Sequence, residues 1–135
     1  PYFPIFPEQA QSACRVLSLV GNSHIPDGYY FFTELYCITP GCDCRRVMLN
    51  VHRNIPMNQV ATISYGFNSK EPDSGPFLDI LNKQSRYSQT LLELFCEMIK
   101  DNAYVENLKK HYREVKAALA DPNHRIHEIA RDYRG

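Results

Sequence analysis

Cys37, Cys42 and Cys44 lie within eight residues in the stretch YCITPGCDCRRV, three of only five cysteines in the chain. Thiolates gathered in one short loop are soft ligands, and a divalent zinc ion takes about four such donors in a tetrahedron. Pro40 and Gly41 suit a tight turn that lets Cys42 point inward, and Arg45 and Arg46 next door offset thiolate charge. The spacing therefore points to a zinc site in which Cys37 closes one strand, Cys44 opens the next and the loop between them folds back.

The fourth ligand has to come from elsewhere. Loops of an antiparallel meander alternate between the two ends of the sheet, which places Cys14, at the start of the first long strand, at the same end as the 38–43 loop. His24 and His52 fall near the opposite end, roughly 26 Å away at the usual strand rise. Cys14 is the expected ligand, with Cys96, a helix histidine, Asp43 or water as the alternatives. Such a metal would be structural, tying the first strand to the hairpin and stabilising folding. A different class is an enzyme in which the three loop thiolates leave an open zinc position for water, or in which Cys42 and Cys44 form a reducible Cys-x-Cys redox pair. A third reading keeps no metal and treats the cysteines as small hydrophobes in a turn.

Other constellations carry less. His124 and His127 stand three apart beside Glu128, a spacing that puts two imidazoles on one helix face, but in the polar first turns of a terminal helix they read as solvated. The segment KKHYREVK could meet phosphates, yet its Lys110 and Glu114 are an ordinary helix-surface pair. Gly-rich phosphate loops, G-x-S-x-G and H-E-x-x-H are absent from the sequence, so no reaction is named.

The elements that must position these residues follow from periodicity. Residues 14–20, 29–37, 45–52 and 59–67 read as strands. In RRVMLNVH, Val47, Leu49 and Val51 share one face; in QVATISYGF, Ala61, Ile63, Tyr65 and Phe67 do the same. The prolines at 1, 4 and 7 predict an extended, irregular start that covers the outward pair among Tyr29, Tyr30, Phe31 and Phe32. After the polar stretch NSKEPDSGP the period changes. PFLDILNK suggests a short helix, and Ser88 is placed to cap a second with Leu91, Leu92, Phe95, Met98 and Ile99 inward. Val105, Leu108, Tyr112, Val115 and Leu119 stripe a third, and Asp121 with Pro122 restarts a fourth carrying Ile126, Ile129, Ala130 and Tyr133. The expected fold class is α+β: an antiparallel meander of about four strands in the N-terminal half, then three to four helices packed on one face. One domain spans 1–135, with strands in about 14–67 and helices in about 76–133.

Composition bounds the partners. Fifteen Lys and Arg balance fifteen Asp and Glu, so nucleic acid is not favoured. No apolar run approaches the roughly 20 residues that span a bilayer, so no membrane is expected. The first residues lack the basic start and apolar segment of a secretory signal, which predicts a cytoplasmic, reducing setting for the thiols. The sequence thus describes a small zinc-binding protein with a role in macromolecular interaction and room for a protein partner.

Overall fold

The fold is that of a computed structural model of the chain, which describes residues 2–4, 14–39, 41, 44–54 and 57–128. Among the described residues six strands come first: β1 (Tyr2–Pro4), β2 (Cys14–Leu19), β3 (Gly28–Cys37), β4 (Arg46–Arg53), β5 (Asn58–Gly66) and β6 (Phe77–Leu78). Two helices follow, α1 (Ser88–Met98) and α2 (Asn102–Ala120). Every strand pairing is antiparallel. The architecture is α+β, strands before helices, as the change of period implied.

The sheet runs β1-β3-β4-β5-β6, with β2 also on β3. The ten residues of β3 are long enough to hold two partners end to end along one edge. Cys14 to Leu19 pair with Thr33 back to Gly28, and Tyr2 to Pro4 pair with Cys37 back to Leu35. The sheet therefore has two short strands beyond the four expected. The prolines at the start do not prevent β1, because Pro4 sits in an edge strand, where a missing N–H costs no central ladder bond. The side chains of Tyr2, Phe3, Ile5 and Phe6, expected to cover the outward aromatics, lie outside what the structure describes.

The period of two decides which residues face the helices. Tyr30, Phe32, Glu34 and Tyr36 of β3 stand on that face with Val47, Leu49 and Val51 of β4 and Ala61 and Ile63 of β5, all of them buried. Leu91 and Phe95 of α1 and Leu108 and Val115 of α2 close over them. The Phe95 ring packs at 6.2 Å on Phe32, 5.7 Å on Tyr65 and 6.2 Å on Tyr104, so one side chain joins the sheet to both helices. Burying such a ring contributes about 1.5–3 kcal/mol.

The helical half departs from expectation in three places. Phe77 and Leu78 do not start a helix but pair with Ser64 and Ile63, because the edge of β5 offers backbone partners there. Ser88 is not the cap of α1: Tyr87 holds that position without a side-chain bond, and Ser88 Oγ reaches the Val60 carbonyl at 3.1 Å and Gln84 Oε1 at 2.7 Å. In α2, Asp101 caps by accepting from the Ala103 N–H at 3.0 Å. The buried stripe of α2 is Tyr104, Leu108, His111, Val115 and Ala118, rotated from the stripe read in the sequence. Of the expected fourth helix, residues 126–128 form one helical turn with Ile126 buried, and Ile129, Ala130 and Tyr133 lie outside the described residues.

Candidate functional site

The described residues do not support the metal-binding role expected from the cysteine spacing. Among the described residues, no group of three or more His, Cys, Asp and Glu side chains could hold a metal ion. The strand register gives the reason for Cys14. It pairs opposite Thr33, whereas Cys37 pairs opposite Tyr2, four residues further along β3. That separation is about 13 Å at the strand rise, far beyond the reach of a shared tetrahedral ion. Cys14 stands away from Cys37 because β1 takes the end of β3 that the simple meander had left to it. Cys14 Sγ instead lies 3.8 Å from Thr33 Oγ1, and partial burial holds its thiol above the ordinary range, against the thiolate a nucleophile needs.

Cys37 is buried at the end of β3, and Cys44 is half-buried before β4. Their backbones serve α2: the Tyr112 hydroxyl donates to the Cys44 carbonyl at 2.9 Å, and Lys116 Nζ reaches the Cys37 carbonyl at 3.5 Å. Cys42 and Asp43, and with them the expected zinc hairpin loop and the Cys42 to Cys44 redox pair, lie outside the described residues. Cys96 stands half-buried on α1, and no disulfide joins the described cysteines.

The polar chemistry of the fold sits elsewhere, under α2. Glu34, 1% exposed, occupies the helix-facing register of β3 between Phe32 and Tyr36. A carboxylate there is tolerable only with donors aimed at it. His111, 4% exposed on the buried stripe of α2, puts Nδ1 2.7 Å from Glu34 Oε1, within hydrogen-bond distance. The Tyr36 hydroxyl is 2.7 Å from the same oxygen and 3.0 Å from the Leu108 carbonyl, so its single proton serves one acceptor at a time. Burial, reinforced by the Glu34 charge, pushes the Tyr36 phenol well above the ordinary tyrosine range and keeps it a neutral donor.

A cleft of about 290 Å³ opens beside this cluster, between β2 and the first turns of α2, lined among others by Arg15, Glu34, Tyr104 and Asn107. Arg15 reaches it because β2 pairs Arg15 with Phe32, which turns its side chain to the helix face. Its guanidinium carbon lies 4.3 Å from the centre of the Tyr104 ring, and one of its nitrogens is 3.6 Å from Asp101. The Tyr104 hydroxyl is buried and has no hydrogen-bond partner among the described residues. Burial, with the Glu34 charge next, raises its phenol, while Arg15 pulls the other way. A donor and acceptor left unanswered in such a place costs about 1–3 kcal/mol.

Motif and spacing in the sequence single out neither Glu34 nor His111, though both carry a signal. Glu34 is the one acid in the alternating register Tyr30, Phe32, Glu34, Tyr36, and His111 lies three residues after Leu108 and four before Val115. His124 and His127 form local contacts, His124 Nδ1 accepting from the Ile126 N–H at 3.1 Å and His127 Nε2 lying 2.9 Å from the Asp121 carbonyl. Those contacts belong to the turn after α2. Among the described residues no helix is long and apolar enough to cross a membrane. No protein-family model, curated protein or solved structure matches this chain.

Proposed function

We propose that this protein binds a small polar molecule in the cleft between β2 and α2. The observation that supports the reading is the Tyr104 hydroxyl, buried on a residue that lines the cleft and without a partner among the described residues. Buried polar groups in folded proteins are nearly all satisfied, so one that is not, next to an opening of this size, is a place where a ligand group completes the bonding. The reading is of binding rather than turnover. The Cys14 thiol and the Tyr104 phenol beside the cleft are both pushed up by burial, so at neutral pH each is a neutral hydrogen-bonding group and not an activated nucleophile.

The substitution Tyr104→Phe separates binding from folding. It removes the unanswered hydroxyl and nothing else, so thermal stability should hold or rise by up to about 1 kcal/mol. In amide NMR spectra of the full chain titrated with a library of neutral polar fragments, some fragment should shift the signals of Val16, Tyr104 and Asn107 together, and Tyr104→Phe should weaken that response. A library that leaves these three signals in place, or a Tyr104→Phe protein that responds as well as the parent, would overturn the proposal.

A further inference from the structure

We infer, on the reading that the cleft binds a small molecule, that its ligand is a zwitterion of amino-acid size, with an ammonium group seated on Glu34 and a carboxylate on Arg15. The sheet register brings the two charges to one place. Arg15 stands opposite Phe32, and Glu34 is the next residue of β3 on the same face. The two are diagonal neighbours, roughly 7–8 Å apart at the backbone, within reach of a long side chain. Opposite charges so placed ordinarily meet, yet the structure holds them apart.

Each is held by something else. Glu34 is turned toward α2 by His111 and Tyr36, both at 2.7 Å and both on Oε1, so that Oε2 takes no hydrogen bond among the described residues. Arg15 is drawn over the Tyr104 ring and toward Asp101, whose carboxylate also caps α2. At 3.6 Å that ion pair is too long for a hydrogen bond, and among the described residues the guanidinium donors are not spent on other acceptors. The cleft is lined by both residues.

The result is a carboxylate oxygen lacking a donor on one side and a guanidinium fork lacking an acceptor on the other. An ammonium group answers the first and a carboxylate the second, the latter in the two-pronged geometry that arginine favours. A ligand with one charge alone meets a like charge across the cleft, a cation facing Arg15 or an anion facing Glu34. A volume of about 290 Å³ admits one small molecule of this kind. Tyr104 and Asn107, three residues apart on α2, supply a phenol and an amide along the wall.

The test is calorimetric titration of the full chain with each of the twenty protein amino acids, with ethylamine and propionate as single-charge probes. At least one amino acid should bind, and both single-charge probes should bind at least about tenfold more weakly, the scale of one charge-assisted hydrogen bond. Arg15→Gln, at a half-exposed position that leaves folding intact, should weaken amino-acid binding by about the same factor. Glu34→Gln, verified as folded by its thermal midpoint, should do likewise. Equal binding of ethylamine or propionate, or an Arg15→Gln protein with parental affinity, overturns the inference. If no amino acid binds while neutral fragments still shift the Tyr104 and Asn107 signals, the zwitterion falls and the binding cleft stands; if neither acts, both fall.

Discussion

Glu34 lies on a sheet face otherwise made of Tyr30, Phe32 and Tyr36, and it survives there because His111 and Tyr36 meet it at 2.7 Å. Removing His111 leaves the buried Glu34 carboxylate with the Tyr36 hydroxyl in place of two partners, and breaking a buried pair this way costs about 3–5 kcal/mol, whereas replacing both by apolar side chains of similar volume costs less. Urea unfolding of His111→Ala should show a loss on that scale. The double substitution Glu34→Met with His111→Leu should be closer to the parent than His111→Ala is, and a double variant that is the weaker of the two would contradict this account of the pair. The cluster is partly legible in the sequence: an acid in a buried register and a histidine on an apolar stripe are both anomalies of pattern. What one strand or one helix cannot disclose is that the two anomalies answer each other across 77 positions of chain.

Gln84 does at the scale of elements what a further strand would do. Its Oε1 accepts from the Thr62 N–H at 3.2 Å and its Nε2 donates to the Thr62 carbonyl at 2.8 Å, so one side-chain amide occupies the β5 edge where the two-residue β6 stops. The same amide reaches the Asp79 carbonyl at 2.8 Å and accepts from Ser88 Oγ, linking the edge to the turn and to the first residue of α1. An exposed edge left with open backbone groups is a liability, and this clamp closes it. Gln84→Ala should cost about 1–3 kcal/mol and speed hydrogen exchange at the Thr62 and Asp79 amides well before the rest of β5. Uniform exchange along β5 in that variant would show the clamp to be irrelevant. Here the sequence misleads for a physical reason: PFLDILNK has helix-compatible spacing, but the unfilled edge of β5 competes for its backbone and wins.

For the whole molecule, the clearest response to pH lies on the alkaline side. Burial pushes the phenols of Tyr36 and Tyr104 upward, so the folded protein keeps protons that the unfolded chain releases near the ordinary tyrosine value of about 10. Below that value the contribution is fully present; as pH rises through it the unfolded state gains, and stability falls. Denaturation midpoints should therefore drop between about pH 9 and about pH 11, and less steeply in Tyr104→Phe than in the parent. An unchanged midpoint across that window would show that the phenols are not held as the structure implies. The order of classes, strands then helices, and the faces of β4 and β5 were determined by the sequence alone, because periods of two and of about 3.6 are local properties of a chain seeking to bury one side. The sharing of β3 between β1 and β2 was not, and that sharing moved Cys14 away from Cys37, against the meander that had placed both at one end of the sheet. The meeting of Arg15, Glu34, Tyr104 and His111 was likewise decided by tertiary structure, since it depends on which strand edge is filled and how far α2 is rotated about its axis. Those are outcomes of competition among distant segments for the same surface, and no window of neighbouring residues contains them.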